Sequence, residues 1–520
     1  MPANVSVSAA NASDIVVFKA DTDTSLDRLN VMQGAFCQRG TGKLTVYVPA
    51  ATSYTLAVAG AGTATGDNTA WFPSGSEGIV FPDDGTAPDS ACGKYPGFSV
   101  AEGELALVGA GADAGVSMIG ARVLIGLYSK TCAAQPMLTV DNVYLDCLSS
   151  HWFLGHSVGA NNIAVTNPVL RIINGGKVRI TSSQIGYNST SSRSYVTLAA
   201  TNGTFLVSGF DHYLTRMNGS VGGARAYYKF KDSNLYLDGT VNKIGGGIDL
   251  DFDNSVFSTS AGGTVALTGE SDRPWGTMLF RNGSVFAYGG FTENSINKNL
   301  TFAFDDSELK LDASRASATL VASGSGKVHY EMRGAGAVLK PASGATYTIN
   351  APLEGEGGLV LAGEGTLALA SGKYAFSGTC DVRSGTLDLS AAGSISNPRF
   401  AATTGGGTVS SAVLNQATVA IALSDAWENT NGIPTFANCT FSGKVKVDAG
   451  RTASNPLAMP AASASQPVAI ARFSGTTAAD LSAWRLVNTG DRMVRGEFTL
   501  VDGTVYLTPA PPFGAVIILR

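Results

Sequence analysis

The chain has 520 residues and a formal net charge of −5, with only 14% Asp, Glu, Lys and Arg but 63 glycines. Its surface must therefore be made largely of Ser, Thr, Asn and Gly, a palette that disfavours helices and suits short strands joined by tight turns. The acidic balance, without any Lys/Arg run, excludes the electrostatic footprint of a nucleic-acid partner, and no apolar run reaches the roughly 18 residues of a transmembrane segment.

In chain order, residues 1–100 read as an N-terminal cap with an irregular insertion. The opening MPANVSVSAANASDIVV lacks the basic start and apolar centre of a secretory leader, so either an export leader has been removed or the protein stays inside. From Gly60 to Phe98, Gly, Pro, Asp and aromatic residues follow no period, as in a long loop. Trp71, Phe72 and Tyr95 in that stretch are candidate carbohydrate-binding residues, since their rings can stack on sugars; packing inside a cap is the plainer reading.

A turn-and-strand template then recurs: a polar or Gly turn followed by apolar-x-apolar. Its first apolar residue falls at Leu44, Leu105, Val143, Ile185, Phe205, Leu235, Val256, Val285, Leu309, Val338, Leu367, Leu387, Val445 and Val505. From Val143 to Leu387 the steps are 20 to 30 residues, apart from one gap of 42 that suits two rungs. Bounded, uneven steps of this size predict a parallel β-helix over residues 101–450, with two or three short strands per rung. Inward Leu, Val, Ile and Phe would stack as ladders, and Gly, Asn or Asp would make the corners. The competing fold, a string of β-sandwiches, would interrupt the template about every hundred residues. Residues 451–520 read as a linker, RTASNPLAMPAASASQP, followed by C-terminal capping strands.

The template is most regular between Gly355 and Gly393, where Gly-Thr-Leu-Ala-Leu at Gly365–Leu369 returns 20 residues later as Gly-Thr-Leu-Asp-Leu at Gly385–Leu389. With Leu359, Gly363, Tyr374 and Gly378, this stretch resembles the autotransporter-associated β-strand repeat of Gram-negative passenger domains. The resemblance covers under a tenth of the chain. It implies an all-β, right-handed parallel β-helix (solenoid) at or beyond the cell surface. The C-terminal translocator barrel of that family has no counterpart after Ser390, so the export route implied by the family is not carried over.

Chemistry-bearing residues are sparse. In IDLDFD the apolar residues alternate with Asp249, Asp251 and Asp253, which puts three carboxylates on one outer face at intervals of about 6.5 to 7 Å. They are candidate metal ligands, Ca²⁺ being the cation that suits them, yet ion pairs with Lys229 and Lys231 on one side and Arg281 on the other would account for them as well. His151 and His156 fall on opposite faces of a strand and lack further ligands. Asp305 and Asp306 occupy the turn position filled elsewhere by Asn142, Asp232, Asn254 and Asn282, which reads as turn chemistry. Cys132 and Cys147 have the spacing of a disulfide loop, Cys37 and Cys92 flank the insertion, and Cys380 and Cys439 lie too many rungs apart to bond. No cofactor motif or catalytic constellation emerges. The expectation is a non-enzymatic, adhesin-like or stalk-like structural protein of the cell surface, partnered by surface polysaccharide, other surface proteins or itself. The alternative is a carbohydrate-active or polysaccharide-binding β-helix.

Overall fold

The computed structural model describes residues 3–8, 15–58 (less 20 and 34), 97–126 (less 101, 112 and 120–121), 134–154, 167–185, 195–215 (less 209–211), 225–259 (less 239–241 and 246), 265–268, 276–294 (less 289–290), 299–311, 317–319, 327–370, 374–451, 454–455, 457, 466–477, 480–487, 493–494 and 496–509. The chain divides into two compact units, Met1–Phe302 and Ala303–Arg520. Both are all-β, and a 3-10 turn at Leu481–Ala483 is the one helical element among the described residues.

In the first unit, three ladders of parallel strands run along the chain. One passes through Lys43–Val48, Glu104–Gly109, Met137–Asp141, Val169–Ile173, Tyr195–Thr201, Arg225–Lys231, Ile248–Asp253 and the start of Thr277–Tyr288. A second links Ser53–Val58, Gly115–Ile119, Tyr144–Leu154, Lys177–Ile185, Thr204–Val207, Asn234–Leu237 and Val256–Thr259. The third joins Ile15–Lys19, Ala35–Arg39, Gly97–Val100, Arg122–Ile125 and the far half of Tyr144–Leu154. Because side chains alternate along a strand, in-register pairing stacks like residues. Leu44, Leu105, Leu138, Leu170, Leu198, Tyr228, Leu250 and Met278 are successive partners, all buried. Two residues along, Phe230, Phe252 and Phe280 stack at 5.1 and 5.0 Å, and Phe257 and Phe286 of the second ladder meet them across the core.

Between the first and second ladders the chain turns at Asn142, Asn174, Asn202, Asp232, Asn254 and Asn282, each with φ between 46° and 54°. Asn and Asp tolerate this left-handed conformation because their short polar side chains bond locally. Asn254 Nδ2 donates to Asp232 Oδ1 at 2.7 Å, and Asn282 Nδ2 to Asp253 Oδ1 at 2.7 Å. Just inside the corner, buried serines satisfy the backbone between rungs: Ser233 N donates to Ser255 Oγ, and Ser255 N to Ser284 Oγ, both at 3.1 Å. The turn role expected for Asn142, Asp232, Asn254 and Asn282 is met, and Asp306 takes the same conformation (φ 54°) in the second unit.

In the second unit one parallel ladder runs from Ala337–Leu339 through Leu359–Leu361, Thr379–Val382, Arg399–Ala401, Thr418–Ala420 and Val445–Asp448 to Trp484–Val487. Another links Ser317–Thr319, Thr346–Ile349, Thr366–Leu369, Thr386–Asp388, Thr408–Ser410, Thr435–Ala437 and Val468–Ser474. The doubled motif forms adjacent rungs of this second ladder, with Thr366 opposite Thr386 and Leu367 opposite Leu387. Its glycines permit the close stacking. A Cβ on Gly365 would lie 2.2 Å from the Ala342 carbonyl oxygen, and one on Gly385 (φ 68°) would lie 2.3 Å from that of Gly363. The ladder then changes direction: Val468–Ser474 pairs antiparallel with Thr504–Pro509, which pairs antiparallel with Gly496–Val501.

Three expectations need correction. The 42-residue gap holds one rung, because the partner after Leu145 is Val178, whereas Ile185 pairs with Leu154. Val256, Val285 and Val338 are half-exposed; their neighbours Phe257, Phe286 and Leu339 point inward, since a shift of one residue moves a side chain to the other face. Cys147, expected in a loop bridge, is a free, buried thiol opposite Met118 and Ile180, and Cys132 itself lies outside the described residues.

Candidate functional site

The acidic strand Ile248–Asp253 has the alternating burial expected, with Asp249, Asp251 and Asp253 outward. Each carboxylate is closed by a neighbouring rung. Arg225 reaches Asp249 at 2.5 Å, and the Thr277 backbone N–H donates to the other oxygen of Asp249 at 3.2 Å. Arg281 donates from Nε and Nη2 to the two oxygens of Asp251 at 2.9 and 3.2 Å, and its Nη2 also lies 3.1 Å from Asp253. The ion-pair role predicted for Arg281 therefore holds. Lys229 and Lys231 stand opposite Asp251 and Asp253 but make no ion pair among the described residues, and Arg225, not singled out from sequence, does. A fork of donors matches a carboxylate better than a flexible ammonium does. No group of three His, Cys, Asp or Glu side chains suited to a metal ion occurs among the described residues.

The same closure recurs along the chain. Glu104 is held by Lys43 at 3.2 Å, Arg171 at 3.1 Å and the Thr139 hydroxyl at 2.7 Å. Arg179 forks onto Asp146 at 2.7 and 2.6 Å, and this bond raises the guanidinium pKa further. In the second unit, the buried Asp381 accepts from Thr403 N and Oγ1 (2.8 and 2.6 Å) and from Arg383 (2.8 Å). Asp448 is likewise held by Arg399 at 2.7 Å and Gly450 N at 3.0 Å.

A concavity in the second unit lies where the chain leaves Thr418–Ala420 for an irregular excursion. Leu423 and Asn429 form an antiparallel bridge, Ser424 N donates to the Glu428 carbonyl and Trp427 N to the Ser424 carbonyl, each at 2.9 Å. Trp427 is buried with φ 63°, and Arg451 fastens the hairpin by bonding the Leu423 carbonyl at 3.0 Å and Asp425 at 2.5 Å. Asn429 Nδ2 ties it to the Ala469 carbonyl at 3.2 Å. Between the hairpin and Gln466–Ala469 lies a cavity of about 690 Å³, lined by Asp425, Glu428, Asn429 and Asn431 among others. Amides and carboxylates around a cleft of this size suit hydroxyl-rich ligands. The signal was present in SDAWENTNGIP, a cluster of turn-forming residues without strand alternation.

Of the other sequence candidates, Trp71, Phe72, Tyr95, His156, Cys92 and Cys132 lie outside the described residues. His151 sits opposite Ser182 in a strand pair. Asp305 serves a turn, accepting the Ala335 backbone N–H at 3.1 Å. Cys380 and Cys439 are free and buried, in keeping with their expected separation. No helix among the described residues is long and apolar enough to cross a membrane. No family model matches the chain, and no curated protein is significantly similar to it.

Proposed function

We propose that this chain is a non-enzymatic repeat protein of the cell exterior, a stalk or adhesin-like structural component akin to the autotransporter-associated repeats of Gram-negative bacteria. On this reading the ladders of each unit are the faces of a right-handed parallel β-helix. The observation that carries the proposal is the closure of the outward carboxylates by arginines, hydroxyls and backbone N–H groups: Asp249, Asp251, Glu104, Asp146 and Asp381 are occupied in holding rungs together. General acid–base work would need an acid and a base poised toward a substrate. Low charge and the stacked Gly-Thr-Leu-x-Leu motif support an exported repeat protein, and surface polysaccharide, other surface proteins or further copies of the chain are its natural partners. Protease added to intact cells is expected to digest the protein while a cytosolic marker survives; its protection would sink the location. Release of new reducing ends from any of a panel of acidic polysaccharides would sink the non-enzymatic role.

A second reading, polysaccharide binding, rests on the cleft beside Asp425–Glu428. Retention on a polysaccharide gel that falls in Asn431→Ala and Glu428→Gln would support it. Calcium at Asp249, Asp251 and Asp253 requires Arg225 and Arg281 to let go; stoichiometric Ca²⁺ retained through purification without added calcium would establish it.

A further inference from the structure

In the second unit, charge thins out along part of one ladder. The ladder through Arg399–Ala401 and Val445–Asp448 carries Arg399, Lys446 and Asp448. The ladder of the doubled motif instead turns Thr346, Thr366, Thr386, Thr408 and Thr435 outward, each the direct partner of the next and each half-buried. Two residues along the same strands, a second outward row reads Thr348, Ala368, Asp388, Ser410 and Ala437. Between Thr346 and Thr435 the two rows carry one charge, Asp388, engaged by the Ser390 backbone N–H at 2.9 Å, and beyond Thr435 the first row continues directly into the exposed Arg472. None of the threonine hydroxyls bonds to a protein group among the described residues. The aromatic and aliphatic residues between the rows, Tyr347, Leu367, Leu387, Val409 and Phe436, are all buried, so no ring is presented outward there.

We propose that this strip adsorbs to the surface of ice. Paired strands fix the hydroxyls about 4.8 Å apart along a row, and alternate residues separate the rows by about 6.5 to 7 Å. Those two repeats fall close to the spacings of water oxygens on a prism face of hexagonal ice, so water bound along the rows lies in phase with the crystal. Each threonine supplies a hydroxyl for hydrogen bonding and a methyl group that limits alternative water orientations. One such contact is weak, but the sheet has already fixed the positions, so successive contacts need little further ordering. The stretch from Thr346 to Thr435, nearly uncharged until the ladder reaches Arg472, also suits a neutral lattice better than an ionic surface. A crystalline polysaccharide is disfavoured because sugar rings are held by outward aromatic rings, which the rows lack.

The test is incorporation of the full-length protein into slowly grown polycrystalline ice, together with inhibition of ice recrystallisation. The wild-type protein is expected to enter the ice and arrest crystal growth, with little dependence on ionic strength. The double variant Thr366→Tyr/Thr386→Tyr, and Thr386→Lys as a second disruption, should lose both effects while keeping the wild-type circular dichroism and melting temperature. Thr204→Tyr, on an outward position in the first unit, should behave as wild type. Exclusion of the wild-type protein from ice would overturn the proposal. So would equal incorporation of folded row variants, or strip-dependent binding to crystalline cellulose or chitin without binding to ice.

Discussion

The glycines of Gly-Thr-Leu-x-Leu show how one residue type sets the distance between rungs. Gly385 and Gly393 both have left-handed φ, 68° and 73°, but a Cβ on Gly385 meets two carbonyl oxygens under 2.5 Å away, whereas one on Gly393 meets nothing within 4 Å. Gly393→Ala is expected to cost the strain alone, ~1–2 kcal/mol. Gly385→Ala should cost ~1–3 kcal/mol more as rungs are pushed apart, measured by denaturant unfolding. Equal losses would mean that conformation alone selects the glycine. Cys380 offers a second probe at this scale. Burial pushes its thiol from near 9 up to about 12, and its neighbour Tyr374 is raised as well. Below pH 9 the thiol is protonated whether or not the chain is folded. Between 9 and 12 the unfolded chain releases a proton that the folded chain keeps, so stability falls as pH rises. Cys380→Ala should flatten that part of the curve, read as melting temperature against pH.

At the scale of strands, the apolar stacks and the ion-pair rows differ in weight. Phe252 is buried between Phe230 and Phe280, and Phe252→Ala is expected to cost ~3–5 kcal/mol. Arg281 and Asp251 each retain over a third of their side-chain exposure, so Arg281→Ala should cost no more than ~1 kcal/mol, and less in high salt. Chemical denaturation of both variants at two ionic strengths would check the contrast. Much of this level is legible in the sequence, because IDLDFD alternates cleanly and Asn before a strand marks a corner. The slips at Val256, Val285 and Val338 arose because an apolar residue stands just before the inward one; Val256, for example, pairs with Asn234, and Phe257 with the buried Leu235. Only pairing with the next rung fixes which of two adjacent apolar residues points inward. Arg225 was illegible for a related reason: it lies at the far end of its strand from the lysines, and reach across rungs decides which cation closes Asp249. The cleft at Asp425–Glu428 was not legible because its other wall, Gln466–Ala469, is brought to it by contacts distant in sequence, such as Asn429 to the Ala469 carbonyl.

At the scale of a whole unit, stacked strands always leave an edge, and an edge with free backbone groups invites pairing with another chain. In the second unit the antiparallel hairpin Gly496–Pro509 covers the edge of Val468–Ser474, held by the buried Val505 and Leu507. Val505→Asp should loosen the hairpin and yield concentration-dependent association in light scattering, with the wild-type protein unchanged over the same range. A folded variant that does not associate would show that the hairpin is dispensable as a cover.

The corner asparagines have a consequence for chemical ageing. Asn174 and Asn202 each precede glycine, the pairing in which the following backbone nitrogen most readily attacks the side-chain amide to form a succinimide. In the folded chain that nitrogen is occupied: Gly175 N donates to the Asn202 carbonyl, and Gly203 N to the Ser233 hydroxyl. At Asn174 and Asn202 the next rung thus shelters the site from deamidation, and the rate at which these two sites age, read by peptide mapping, becomes a clock for how often the corner opens.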